Sequence, residues 1–334
     1  MEQVVMENLF NGDIEAQTEA ANEIANLGSN QRHKLVERGV IPPLISMLHY
    51  QNYEAIEAAL FALLSLAYGS ERTKRRIVKS GAVTALLNLF QCQNKSLIEL
   101  TVAFMLILSS CKSNKLPIAS SGVIQILVEF LNEDLSNDYI SLQTKLDAIA
   151  TLHNLSTCHE IIPLFVSSGL VFSLLQLIHV SEKSSEFILK GIALLEDIVS
   201  LSNDALQETA GTSGSIRALV ETIEEGSPEC REHAVSILLY VCKSCRDKYR
   251  GLILKEGVMP GLLQLSIDGT WKARKLAREL LLLLRDCSNY NSKNIQSKRE
   301  LIEQIMQEID AEEGRVLETT TLRLVEEMIA KLSV

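Results

Sequence analysis

Chemistry at a protein site needs polar or ionisable side chains that converge, and the chain offers few patterns that achieve this. Cys242 and Cys245 form a lone C-x-x-C, the spacing of half a zinc site or of a redox pair, but no second pair stands at a matching distance. Cys242 also falls in a helix column where a buried residue is expected. His159 begins HEIIP, which lacks the second histidine that H-E-x-x-H needs to set two imidazoles on one helix face. GTSGS at 211–215 is not the G-x-S-x-G of a nucleophile elbow and reads as a turn before a helix. Neither G-x-x-x-x-G-K nor G-x-G-x-x-G occurs, so no phosphate cradle is expected. His153 beside Asn154 could form a pH-sensitive contact to a bound chain, or a hydrogen bond inside a helix stack. ERTKRRIVK at 71–79 suits an anionic partner or a localisation signal, or simply a solvated helix face with Ile77 and Val78 turned inward. These residues point away from an enzyme and imply no cofactor and no metal.

What would position such side chains is a repeat. Residues 37–48, ERGVIPPLISML, recur as KSGAVTALLNLF, SSGVIQILVEFL, SSGLVFSLLQLI, TSGSIRALVETI and KEGVMPGLLQLS. Their glycines are Gly39, Gly81, Gly122, Gly169, Gly214 and Gly257, at intervals of 42, 41, 47, 45 and 43 residues. That period marks an all-helical solenoid, whose units must stack because none buries its apolar face alone. In the first copy Ile41, Leu44, Ile45 and Leu48 fall at i, i+3, i+4 and i+7, one face of a helix, while Pro42, Pro43 and Ser46 face elsewhere. The same columns hold Val83, Leu86, Leu87 and Phe90, then Ile124, Leu127, Val128 and Leu131, then Val171, Leu174, Leu175 and Ile178. Glycine suits the corner between two helices because it takes positive φ without steric cost.

The 334 residues would split into two globular domains, but a solenoid grows without a single core, so one elongated repeat domain is expected. The composition is 47% hydrophobic and 5% aromatic, which fits helices packed by aliphatic side chains. A formal charge of −10 argues against a nucleic-acid binder, which needs a basic face to neutralise phosphates. Charge is uneven, with eleven acidic and four basic side chains over 182–232 and ten basic and four acidic over 243–285. Seven scattered cysteines indicate free thiols in a reducing compartment. The N-terminus MEQVVMENLF is acidic where a signal peptide is basic, and no apolar run approaches the roughly 18 residues that span a bilayer. A soluble cytoplasmic or nuclear chain without a membrane partner is expected.

Along the chain, residues 2–286 read as about seven repeats, the first incomplete, with helices at 2–10 and 13–27. The longer third helix of each later repeat is expected at 54–67, 97–110, 142–156, 185–202, 229–242 and 271–286. Gly12, Gly226 and Gly269 sit at turns, and Ser227 before Pro228 reads as an N-cap with proline in the first turn. NEDLSNDYIS at 132–141 reads as a polar surface loop. Residues 287–296 read as a linker and 297–334 as a C-terminal helical cap. There Leu317, Leu324, Val325, Met328, Ile329 and Leu332 form an apolar stripe suited to cover the leucines at 280–284, or else to bind a partner.

The third-helix ends LHNLS at 152–156 and IANL at 24–27, each followed by a short helix and the glycine motif, resemble the armadillo repeat. The resemblance covers residues 2–286. The last unit, KEGVMPGLLQLSIDGTWKARKLARELLLLLRD, looks like the final repeats of plant armadillo proteins, including those joined to U-box ubiquitin ligases. No U-box precedes the repeats in this sequence, so ligase activity is not expected to carry over. The resemblance implies an all-α, right-handed armadillo superhelical solenoid whose third helices line a concave surface for an extended peptide. In that family a ladder of asparagines holds the peptide backbone, and the matching column here is Asn26, Ser65, Ile107, Asn154, Ser200 and Tyr240. Importin-α-like receptors add tryptophans one turn earlier, where this chain has Asn22, Phe61, Ala103, Ala150, Glu196 and Ser236. The single tryptophan, Trp271, begins the last third helix and is expected to be packed.

The expected function is a non-catalytic scaffold that binds a protein or extended peptide along the groove, an adaptor in ubiquitination, transcription or signalling. Its candidate groove residues are Asn22, Asn26, Phe61, Ser65, His153, Asn154, Glu196, Ser200, Ser236 and Tyr240. The alternative is an importin-α-like nuclear transport receptor, for which most of the Trp and Asn ladder positions carry other residues. The residues leave partner identity, peptide charge and oligomeric state open.

Overall fold

The computed structural model describes residues 2–133 and 140–285, and among these every regular element is a helix. The incomplete first repeat supplies α1 (Glu2–Asn11) and α2 (Ile14–Asn26). Then come triplets: α3 (Ser29–Glu37), α4 (Ile41–Met47) and α5 (Tyr53–Ala67), and next α6 (Glu71–Lys79), α7 (Ala82–Leu89) and α8 (Lys95–Ser109). The third triplet is α9 (Lys115–Ala119), α10 (Val123–Asn132) and α11 (Leu142–Ser156), and the fourth is α12 (Ile162–Ser167), α13 (Leu170–Val180) and α14 (Glu186–Leu201). The last two are α15 (Asn203–Gly211), α16 (Ser215–Glu225) and α17 (Pro228–Ser244), then α18 (Arg246–Lys255), α19 (Met259–Asp268) and α20 (Trp271–Leu284). The chain is thus an all-α solenoid of three-helix repeats. The expected linker at 287–296 and helical cap at 297–334, with their apolar stripe, lie outside the described residues.

Local chemistry explains the element boundaries. The repeat glycines take left-handed φ between 76° and 92°, a region that L side chains avoid. At Gly122 a Cβ would meet nothing within 4 Å, so the demand for glycine there is one of dihedral angle rather than space. Gly226 is the opposite case: its φ is −72°, but a Cβ would sit 2.4 Å from the Thr222 carbonyl oxygen. Third helices begin on side-chain caps, in which Asn52, Asn94 and Ser141 accept from the amides of Ala55, Leu97 and Thr144. Ser227 caps α17 in the same way, accepting from Cys230 with Pro228 in the first turn, as the sequence implies.

The described residues form two compact units. The first takes those through Val180 together with Ala193–Ala205, and the second takes Ser181–Ile192 and those from Leu206 onward. In the first unit the third helices lie side by side, α5 between α2 and α8, with α11 against α8. Its core is aliphatic: Ile41, Leu44, Ile45, Leu48, Leu86, Leu127 and Leu174 are buried, and Leu87 is half-buried. In the second unit α16 and α20 both pack on α17, and α19 packs on α20.

Two expectations need correction. On α6 the inward residues are Thr73 and Ile77, one turn apart, while Val78 is only half-buried because the next position rotates by 100°. The first helices of the third and fourth repeats are short, as expected, and each is preceded by a 3-10 turn, Lys112–Asn114 and His159–Ile161. Trp271 is not packed. It occupies the first turn of α20, 73% exposed, where a helix start has no preceding turn to cover it, and the Lys275 ammonium lies 5.9 Å from its ring centre.

Candidate functional site

In the first unit α2, α3, α5 and α8 leave an open cleft of about 530 Å³. Helical spacing builds it: Asn22 and Asn26 stand one turn apart on α2, and Phe61 and Ser65 one turn apart on α5. Tyr68, which ends α5, extends the wall, Ile107 of α8 closes the far side, and Arg32 enters from the first turn of α3. Phe61 is 46% and Tyr68 77% exposed, aromatic surface at a place where a buried core has no use for it. The Arg32 Nη1 donates to the Ser65 carbonyl oxygen at 2.5 Å and to Ser65 Oγ at 2.9 Å, and that hydroxyl donates in turn to the Ala25 carbonyl at 2.9 Å. One chain of hydrogen bonds therefore ties α3, α5 and α2 at the bottom of the cleft. Asn26 Nδ2 donates to the Asn22 carbonyl at 2.9 Å, leaving its side-chain oxygen and the whole Asn22 amide facing solvent.

Four of the candidate groove residues thus line one cleft. The others do other things. His153 Nε2 lies 3.1 Å from Asp197 Oδ2, a half-exposed bridge from α11 to α14 within the first unit. Asn154 turns to its neighbour and donates to the Leu106 carbonyl at 3.3 Å and Ser109 Oγ at 3.0 Å, so both its N–H groups already hold α11 to α8. Glu196 is half-buried, and Ser200 is exposed with its hydroxyl on the Asp197 carbonyl. In the second unit Tyr240 is half-buried, but Ser236 is only 3% exposed and cannot meet a partner. The reason is local: α16 and α20 cover α17 from two sides, and all residues from Ala234 to Leu239 are buried.

The remaining polar patterns resolve structurally. Cys242 is fully buried, and burial pushes its thiol above the ordinary cysteine range, so it stays protonated. GTSGS is a turn, with Gly214 at φ 80° starting α16. On α6, Arg72 and Arg76 share Glu37, and Lys74 bonds both Glu71 and Ser110 Oγ, so much of that basic run is paired. Among the described residues no group of three or more His, Cys, Asp and Glu side chains could hold a metal ion. No single helix there is long and apolar enough to cross a membrane.

Sequence reasoning missed Arg32, although a signal existed. Seven residues before each repeat glycine the chain reads Arg32, Lys74, Lys115, Ile162, Gln207 and Arg250. Each of the four cations reaches the C-terminal end of its own repeat's third helix: Arg32 to Ser65, Lys74 to Ser110, Lys115 to Thr157, and Arg250 Nε to the Leu284 carbonyl at 2.8 Å. A positive charge there meets unpaired carbonyls and the negative end of the helix dipole.

A three-helix repeat with a left-handed glycine corner and a cationic staple is specific enough to compare with known proteins. The family model of the plant U-box protein ARM repeat region matches residues 107–305. The chain belongs to this family. Of the residues lining the cleft, only Ile107 falls within the matched stretch of this ARM repeat region. U-box domain-containing protein 45 of Arabidopsis thaliana is 30% identical over 257 residues, 75% of this chain and 32% of the relative. U-box domain-containing protein 17 of the same plant is 30% identical over 281 residues, 83% of this chain and 37% of the relative. The chain spans about a third of the length of these relatives. A crystal structure of an engineered protein aligns with 100% of this chain and 78% of its own at a TM-score of 0.74 and 20% identity, a likeness of fold alone.

Proposed function

We propose that this ARM repeat chain is a non-catalytic scaffold that binds an extended protein segment along the third helices of its first unit. It would serve there as an adaptor in ubiquitination, transcription or signalling. The observation that carries the reading is the open cleft in which exposed Phe61 and Tyr68 stand beside the uncommitted amide of Asn22. Aromatic faces supply area at small entropic cost, and amides pair with the backbone of a chain that has no partner strand of its own. Family membership supports the scaffold, and the names of the relatives, both U-box proteins, support the link to ubiquitination. The experiment is selection of a displayed, randomised twelve-residue peptide library on the full chain. Recovered peptides should lose about ten-fold or more in affinity on Phe61→Ala, a change that leaves the thermal melt in place because Phe61 is exposed. Peptides that bind the variant as tightly as the wild type would place the groove elsewhere.

A further inference from the structure

The cleft carries one formal charge. Among its lining residues Arg32 alone is ionised, and no carboxylate is among them. Among the described residues Arg32 forms no ion pair, whereas Lys74, at the same position of the next repeat, lies 2.8 Å from Glu71. This is a chain with 42 acidic and 32 basic side chains, in which counter-charges are plentiful. The guanidinium is also held in place. Both Nη1 hydrogens are fixed by Ser65, while Nη2 has no partner and Nε is shut off from solvent without an acceptor. An unsatisfied donor on a shielded cation is unfavourable until an anion arrives, and a fixed guanidinium loses little freedom when it does. Once a segment covers the cleft, Phe61 and Tyr68 beside the guanidinium would be buried with it, and the lower local dielectric would strengthen the pairing.

We propose that Arg32 makes the cleft a receptor for an acidic side chain, aspartate or glutamate, of the bound segment, an assignment that rests on the groove reading above. A carboxylate matches the site better than a phosphate, because phosphoryl groups draw clusters of cations and only one cation lines this cleft. The flanking residues of the segment are apolar, to meet Phe61 and Ile107.

The test uses the full chain and the randomised peptide library. Peptides recovered on the wild type should carry Asp or Glu at one position of the alignment. The strongest is then resynthesised with aspartate, asparagine or phosphoserine at that position and titrated against wild type, Arg32→Lys and Arg32→Gln, each variant first checked by thermal melt. The aspartate form should bind wild type about ten-fold tighter than the asparagine form. That preference should shrink below about two-fold in Arg32→Gln, fall between the two in Arg32→Lys, and weaken with salt. The aspartate-to-asparagine comparison needs no variant, so it decides even if Arg32→Gln destabilises α3. Recovered peptides that require Phe61 yet show no acidic position, or an aspartate preference unchanged in Arg32→Gln, would overturn the Arg32 assignment and leave the groove standing. A phosphoserine form about ten-fold tighter than aspartate would overturn the carboxylate. No recovered peptide, or peptides indifferent to Phe61→Ala, would defeat the groove reading and this one with it.

Discussion

At the scale of single residues the repeat is held by two kinds of position, and each makes a different prediction. Leu127 is fully buried in the α10 column, so Leu127→Ala removes three methyl-sized groups and leaves a cavity. It should destabilise by about 2–5 kcal/mol in denaturant titrations. Gly122 has open space where a Cβ would go but stands at φ 92°, so Gly122→Ala should cost about 1–2 kcal/mol from conformation alone. A neutral result would mean that the corner relaxes. Both positions were legible in the sequence, because apolar spacing and glycine identity are properties of one element. Ser236, Asn154 and Trp271 were not. Their exposure depends on which neighbouring helix lies across them, and a column read at constant spacing assumes that every repeat presents the same turn to solvent.

At the scale of elements, stability depends on how helix ends are treated. Arg250 in α18 bonds the last turn of α20, where carbonyls lack amide partners. Arg250→Met keeps the aliphatic stem and should cost about 1 kcal/mol in thermal or chemical denaturation. The end of α16 shows the reverse arrangement: Glu221, Glu224 and Glu225 crowd a last turn without a basic residue. Partial burial, with Glu225 and Glu221 adding to it, raises the Glu224 pKa above its ordinary value of 4.5. The folded protein therefore takes up this proton more readily than the unfolded chain. The favourable contribution is complete below the unfolded pKa and is lost as pH rises through the folded one. Because the exposed carboxylate is screened by solvent, Glu224→Gln should stabilise by no more than about 0.5 kcal/mol at pH 7 and by nothing below pH 4. Equal stabilisation at both pH values would remove charge as the cause. Helix existence and bounds were readable here, with α11 at 142–156 and α5 one residue longer than expected. The staples joining first to third helix within a repeat were visible only as a column of cations, because their acceptors are the carbonyls of Ser65 and Leu284 and the hydroxyls of Ser110 and Thr157, which form no pattern of their own in the sequence.

At the scale of the whole chain, a repeat array has no single core to lose. In the first unit α5 touches α2 and α8, and α8 touches α11, so each third helix is secured by its sequence neighbours. Stability in such an array is close to a sum of repeat and neighbour terms, and a local loss spreads only as far as those terms carry it. Leu127→Ala should therefore speed amide hydrogen exchange most in α10 and α11, less in α8 and α13, and least in α2. Leu238→Ala, at a fully buried position of α17, should act first on α16, α17 and α20. Hydrogen exchange read by mass spectrometry distinguishes this from global unfolding, in which either substitution would raise exchange by the same factor in every helix. A uniform rise would show that the repeats unfold as one unit, and the neighbour-by-neighbour account of their stability would fail.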